Sequence, residues 1–315
     1  MVDLTAPIFT DAEAARQHLE TQVWPNGPIC PHCGNADGER ITALKGKSHR
    51  PGLYQCMECR EQFTVTVGSA FERSKIPLNK WLLATYLLNA SKKGYSAHQL
   101  HRTLGVTYKT AWFMFHRIRE AMKDDVATSG PLGGEGKIVE ADETYHGKKE
   151  TVTKRTKRGK PSHSSKRSIV ALVERGGRVR SFHVETATKE KVREILVTNA
   201  SRASKLHTDE SNLYMAVGKE FASHETVTHS ADEYVRGDVH TNTIEGFFSI
   251  FKRGMRGVYQ LCSEKHLHRY LVEFDHRYNH RVKLGFDDAM RADKALAGIK
   301  GRRLYYRRPD EATNA

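Results

Sequence analysis

Three carboxylates in this chain stand in contexts suited to holding a divalent cation. Asp142 ends an apolar, β-prone run inside GKIVEADETYHGKK, residues 136–149. Asp209 ends a second short run in KLHTDES, and Glu245 falls in the helix-like stretch HTNTIEGFFSIFKRGMRG, with 35 residues between Asp209 and Glu245. Two aspartates at strand ends and a glutamate on a helix make a set of hard oxygen donors. Such a set suits Mg²⁺ or Mn²⁺ and the two-metal chemistry of phosphodiester attack. Glu143 adjoins Asp142, and on a strand it would point to the opposite face, so a structural role is expected for it. Lys252 and Arg253 lie two helical turns beyond Glu245 and are candidates for contact with a nucleic-acid strand.

A second constellation is thiolate. Cys30 and Cys33 stand in CPHC, Cys56 and Cys59 in CMEC, and the pairs are separated by 22 residues. Two C-x-x-C turns at that spacing describe a zinc ribbon closed by four sulfurs, with no open position for catalysis. The segment QCMECREQFTVTVGS reads as a β-hairpin arm with Phe63, Val65 and Val67 alternating. A fifth cysteine, Cys262, has no partner in the sequence and reads as core.

These residues need elements to position them. Residues 11–20 form a short amphipathic helix, and 76–94 an apolar one stopped by Gly94. SAHQLHRTLGVTYKTAWFMFHRIREAM reads as helix, turn, helix, with Ser96 and Thr107 as N-caps and Gly105 in the turn. Its second helix carries Lys109 and Arg117 as candidate DNA contacts. Residues 124–136 are rich in Gly and Ser and read as a linker. Beyond it come a strand over 138–142, a hairpin of 168–174 with 178–185, a helix over 189–201 and a strand over 205–208 that ends at Asp209. A helix over 213–221, a strand over 225–229 and a helix over 241–256 complete a mixed sheet with helices.

Composition agrees with an anionic partner. The 315 residues carry a formal net charge of +14 and a sequence pI of about 9.5. Twelve Lys or Arg against two Glu lie between Lys148 and Arg180, a local net of +10. Within it, the polar segment 148–168 reads as a flexible insertion able to clamp a DNA backbone. No apolar run approaches the roughly 20 residues that span a bilayer, and residues 1–17 lack a secretory signal pattern. Paired C-x-x-C thiols suit a reducing, cytoplasmic setting.

Over roughly residues 20–290 the chain resembles the insertion-sequence transposases that join a zinc ribbon to an ISXO-like DDE catalytic domain. The motifs that carry this are CPHC with CMEC, the helix-turn-helix stretch, VEADETYHGKK, HTDES, HTNTIEGFFSIFKRGMRGVYQ and KHLHRYLVEFDHRYNHR. The resemblance implies a ribonuclease-H-like α/β catalytic domain. It also implies binding of double-stranded DNA at the element's ends, metal-dependent cleavage and strand transfer. It maps the first two acids to Asp142 and Asp209. At the third position the family varies between Glu and Asn; Glu245 is preferred because a carboxylate neutralises a cation better than an amide, with Asn242 as the alternative. The expected organisation is a zinc ribbon over 1–70, a helix-turn-helix region over 71–130, the catalytic domain over 131–295 and a basic tail over 296–315. A homo-oligomer on DNA follows from the need to hold two ends together. Two other readings use the same residues: a DNA-binding protein without catalysis, and a ribonuclease-H-like nuclease that cuts without joining.

Overall fold

The computed structural model describes residues 3–124, 126–149 and 166–304. Most of the basic insertion, and the last part of the basic tail, lie outside these. The chain divides into two compact units, one of residues 1–123 and 286–315, the other of 124–285.

The first unit opens with α1 (Pro7–Thr10) and α2 (Ala12–Val23), the latter capped by Asp11, whose side chain accepts from Ala14 N–H. A three-stranded antiparallel sheet follows: β1 (Ile41–Ala43), β2 (Tyr54–Cys56) and β3 (Gln62–Phe63). The expected arm is shorter than its alternation suggests. The ladder stops at Phe63, because Val67 N–H turns back to the Thr64 carbonyl and Ser69 N–H to that of Thr66. Next come α3 (Leu78–Ala90), α4 (Ala97–Leu104) and α5 (Tyr108–Ala121). Ser96 and Gln99 form a capping box at α4, Gly105 ends it at φ 61°, and the Thr107 side chain caps α5.

The second unit is a five-stranded sheet with helices on both faces. A short α6 (Val126–Ser129) precedes β4 (Ile138–Lys148), β5 (Lys166–Glu174) and β6 (Val179–Val184). Then follow α7 (Lys189–Asn199), β7 (Lys205–Asp209), α8 (Met215–Gly218), β8 (Ser223–Val227), α9 (Asn242–Gly254) and α10 (Leu267–Asn279). The helix expected over 213–221 is thus a single turn. Strand order is β6-β5-β4-β7-β8. The first three strands form an antiparallel meander, while β7 and β8 run parallel to β4. This is the ribonuclease-H-like arrangement, with β4 at its centre.

Burial on both faces explains the near-continuous apolar run of β5. Val170 and Leu172 join Val139, Ala141 and Leu206 under Val192 and Leu196 of α7. Ile169, Ala171 and Val173 join Phe247 and Phe251 of α9 and Leu271 and Phe274 of α10. The segment read as a linker is partly core: Leu132 is buried in the first of these clusters and bridges Ala200. At Gly133 a Cβ would fall 2.1 Å from Ser204 Oγ, so only glycine fits.

The last helix, α11 (Asp288–Ala297), belongs to the first unit, where Arg291 donates to the Asn89 carbonyl. The second unit, expected to reach residue 295, ends at 285. No helix among the described residues is long and apolar enough to cross a membrane.

Candidate active site and metal centres

Along β4 the side chains alternate between the two faces of the sheet. Val139 and Ala141 enter the α7-side core, which leaves Glu140 and Asp142 on the face toward α9. The parallel ladder between β4 and β7 covers only Ile138 to Glu140, pairing them with Lys205 to His207. Past that point the two strands share no backbone bonds, and Asp209, at the end of β7, and Asp142 present side chains into a common space; the strand expected to end at Asp142 runs on to Lys148, so Asp142 lies inside it. Such strand ends are where open α/β sheets place their sites.

Asp142, Glu143 and Asp209 meet there, one carboxylate oxygen of each lying within 4.8 Å of the others. The expectation of a structural role for Glu143 is corrected in part, since one of its oxygens lies with those of Asp142 and Asp209. Glu143 does reach the other face, where the buried Tyr214 hydroxyl donates to its Oε2 at 2.8 Å. Burial pushes the Asp142 carboxyl up to about 8, helped by the charges of Asp209, Glu143 and Glu245. Burial also raises Asp209 and Glu143, against the Ser211 N–H at the first and the Tyr214 hydroxyl at the second. Three carboxyls held this close repel one another unless a cation lies between them. Hard oxygen donors at this spacing fit Mg²⁺ or Mn²⁺, which take carboxylate ligands.

Glu245 lies outside that close cluster. It occupies the first turn of α9 with its side chain about half exposed, accepting from Thr241 Oγ1 at 2.9 Å and lying 3.8 Å from His229 Nε2. Its charge nevertheless acts on Asp142, and that of His229 acts on Asp209. Asn242 is exposed at the first position of α9. Lys252, half-buried two turns further on, lies in the field of Asp142, and Arg253 beside it is exposed.

What aims α9 is a residue the sequence reading passed over. Glu140 is fully buried. Its carboxylate accepts from Thr243 N–H at 2.9 Å, Ile244 N–H at 3.0 Å and Thr243 Oγ1 at 2.8 Å. Thr241, the N-cap of α9, offers no side-chain cap of its own, so a carboxylate from β4 fills that place at the positive end of the helix. Arg175 Nε completes the set with a 2.9 Å bond to Glu140, and its Nη2 reaches the His240 carbonyl. His207 and His240 pack around Arg175 and not around the acid cluster. The sequence held one signal for Glu140: two residues before Asp142 on a strand is the same face.

The four cysteines come together as expected, with Cys30 Sγ 3.6 Å from Cys59 Sγ and Cys33 Sγ 3.7 Å from Cys56 Sγ. Tetrahedral zinc with sulfurs at about 2.3 Å requires an edge of about 3.8 Å, so the thiols fit that ion. The Cys59 backbone N–H is the main reason the Cys56 thiol comes down to about 6, which favours the thiolate.

Of the expected DNA contacts in the first unit, Lys109 is exposed near the start of α5. Arg117 is not available: it is 7% exposed, donates to the Glu72 carbonyl and lies over the rings of Trp81 and Phe113. Its period along α5 puts it on the packing side, where it ties α5 to α3 and to the segment before it.

Residues 131–279 match the family of ISXO2-like transposase domains, and residues 10–62 match the transposase zinc-ribbon domain. A protein described as an uncharacterized protein in transposable element ISH50, from Halobacterium salinarum, is 29% identical over 285 residues, covering 85% of this chain and 91% of its own length. Among solved structures, a pre-cleavage Mos1 transpososome is similar at 14% identity over 68% of this chain and 76% of that one, with a TM-score of 0.25. So loose an overlap carries no argument. The two domain matches together span well over half of the chain and fall on the cysteine cluster and on the sheet that holds the acids. The chain belongs to the insertion-sequence transposases that combine a zinc ribbon with an ISXO2-like DDE domain.

Proposed function

We propose that the protein binds double-stranded DNA at the ends of its own element, cleaves a strand there and joins the new end to target DNA. The observation that carries this reading is the convergence of Asp142, Glu143 and Asp209 just past the β4–β7 ladder of the ISXO2-like domain. Asp142, Asp209 and Glu245 are the proposed catalytic ligands of Mg²⁺ or Mn²⁺, with Glu143 as an additional donor. The electrostatic action of Glu245 on Asp142 supports its place; Asn242 is the neighbour that would serve in its stead. When bound, the divalent ions supply the Lewis acidity that makes water, and later a 3′-hydroxyl, an effective nucleophile. The chain orients the acids through Glu140 and Tyr214, and it offers Lys252 and Arg253 to the strand being cut. In-line displacement needs no covalent enzyme intermediate, so no Ser or Tyr nucleophile is required.

Cys30, Cys33, Cys56 and Cys59 hold structural Zn²⁺ in this reading, and Lys109 contacts the DNA backbone. Two ends must be brought together, so the active form on DNA is a homo-oligomer. The reducing cytoplasm suits the thiolate site.

The test is a supercoiled plasmid carrying the DNA that flanks the gene, incubated with the protein and Mg²⁺ or Mn²⁺. Metal-dependent nicks at defined ends, joined to new sites, support the reading. Cleavage without joining would favour the nuclease, and tight binding without cleavage under either ion would favour the DNA-binding protein.

A further inference from the structure

Past the acid cluster, β4 continues to a cleft that gathers three cations, Lys148, Lys166 and Arg256. The antiparallel ladder with β5 shifts register between His146 and Lys148. Gly147, at φ 63°, takes the left-handed conformation that the bulge requires. Lys148 then stands directly across from Lys166, and His146 across from Arg167. Like charges facing each other across a ladder are destabilising, so the Lys148–Lys166 pair works against the fold unless an anion lies over it.

A second irregularity adds to the first. After Gly254, helix α9 widens into a π-helical turn, Met255–Tyr259, that ends at Gln260 with φ 57° and ψ −58°. Single π turns are rare and recur at functional sites. This one carries Arg256 to the same spot. Tyr145, His146, Gly147, Lys148, Lys166 and Arg256 line an open cleft of about 350 Å³. Among the described residues no carboxylate pairs with Lys148, Lys166 or Arg256.

The cleft and the acid cluster are electrically continuous. Tyr145 lies in the field of Glu143 and Asp142. Lys252 lies in the field of Asp142 on one side and of Arg256 and Lys166 on the other. At about 3.3 Å per residue, four or five residues of strand place the cleft about 15 Å from Asp142. That distance spans two to four nucleotides of a DNA strand, at about 3.4 Å of axial rise each and more along the backbone.

We propose that this cleft is a phosphodiester-binding subsite, in which Lys148, Lys166 and Arg256 hold one backbone phosphate two to four nucleotides from the phosphate presented to Asp142, Glu143 and Asp209. The proposal rests on the transposase reading for the identity of the strand. The bulge and the π turn are what bring three cations from three separate elements to one phosphate. The contact is with backbone and reads no base, so it fixes register and not sequence.

The experiment uses the full-length zinc-loaded protein and fluorescein-labelled 40-base-pair duplexes from the DNA flanking the gene. In a series of these, one neutral methylphosphonate linkage at a time replaces a phosphate near the cleavage site. Wild type should lose about 5- to 10-fold in affinity at one or two linkages within the two-to-four-nucleotide window. Arg256→Ala and Lys166→Ala should bind the unmodified duplex about 5- to 10-fold more weakly and lower the salt slope of log K by about 1. They should also be insensitive to the linkage that wild type senses, while Arg256→Lys keeps its sensitivity. A flat wild-type scan in that window, or variants whose scan and salt slope equal those of wild type, would overturn the proposal. Inorganic phosphate at millimolar concentration, competing equally against wild type and Arg256→Ala, is the expected result for a subsite that requires a strand. Competition seen with wild type alone would reassign the cleft to free phosphate. Binding is read without chemistry, so wild type that cleaves normally with a flat scan loses only the subsite. Wild type that never cleaves but shows the window keeps the subsite and loses the transposase reading. Circular dichroism confirms that each variant is folded, as expected for Arg256, which is exposed.

Discussion

Removing the Glu140 carboxylate should unfasten α9 from the sheet and uncouple Glu245 and Lys252 from the acid cluster. The side chain is fully buried, bonded to Arg175 and to two backbone N–H groups at the start of α9. Glu140→Ala leaves Arg175 without its carboxylate in a buried setting, which costs about 3–5 kcal/mol. The cap lost at the helix start, about 1–2 kcal/mol alone, comes from the same carboxylate and is not added on top. Glu140→Gln keeps an acceptor oxygen for the helix but loses the charge opposite Arg175, for about 1–3 kcal/mol. With a urea slope of about 2 kcal/mol/M, the alanine variant's midpoint should fall by about 1.5–2.5 M. All three tryptophans, Trp24, Trp81 and Trp112, lie in the first unit, so indole fluorescence does not report this loss directly. The assay is hydrogen exchange by mass spectrometry on peptides from β4, β7 and α9, beside far-ultraviolet circular dichroism. Amides 243–247 should exchange much faster in Glu140→Ala and modestly faster in Glu140→Gln, with those of β6 far less affected in the glutamine variant. Under Mn²⁺ the glutamine variant should fold yet turn over slowly. An alanine variant within about 1 kcal/mol of wild type, with protected α9 amides, would refute the claim that Glu140 holds the helix.

Other outcomes follow from the same structure. Chelation of zinc should unfold the segment around Cys30, Cys33, Cys56 and Cys59, and elemental analysis of the native protein should give one zinc per chain. The raised Asp142 carboxyl sets a pH dependence. Its folded value of about 8 lies above the ordinary 3.8, so the metal-free protein binds this proton more tightly than the unfolded chain does. The resulting stability is full below about pH 4 and lost as pH rises toward 8. Mn²⁺ should therefore raise the melting temperature more at pH 8 than at pH 6, and its binding at pH 7 should release protons, measurable by calorimetry in buffers of different ionisation enthalpy. Asp142→Asn should stabilise the metal-free protein at pH 8 by about 2 kcal/mol while weakening Mn²⁺ binding, two effects of opposite sign. Tyr214→Phe removes the hydroxyl that holds Glu143 and should weaken Mn²⁺ binding by about 10-fold at a stability loss of about 1 kcal/mol.

Much of this was legible in the sequence, for identifiable reasons. The helix-turn-helix region is local: Ser96, Gly105 and Thr107 each act within a few residues, and each stands where its capping chemistry puts it. The cysteine cluster follows from its spacing, and Asp209 ends its strand as its apolar run implies, whereas Asp142 lies inside a strand that its polar continuation to Lys148 conceals. Long-range fit was not legible. Leu132 sits in a Gly-rich stretch, and nothing local says that a core closes over it. Arg117 has the side chain of a DNA contact and the position of a packing residue, and only the fold decides between them. Alternation puts Glu143 on the face away from Asp142, as its bond from Tyr214 shows, but it does not reveal that a carboxylate oxygen of Glu143 still comes within 4.8 Å of those of Asp142 and Asp209. Glu140 was overlooked because its partners, Arg175 and the start of α9, lie 35 and 103 residues away.

The central claim is that these carboxylates are the catalytic metal ligands of a strand-joining enzyme. It is tested most directly by sequencing the 3′-hydroxyl ends and joined products formed on the flanking-DNA plasmid in Mn²⁺, with Asp142→Asn, Glu143→Gln, Glu245→Gln and Asn242→Ala beside wild type. The account predicts defined ends joined to new sites by wild type, none by Asp142→Asn or Glu245→Gln, and reduced but detectable products from Glu143→Gln and Asn242→Ala. Joining that survives in Asp142→Asn would contradict it.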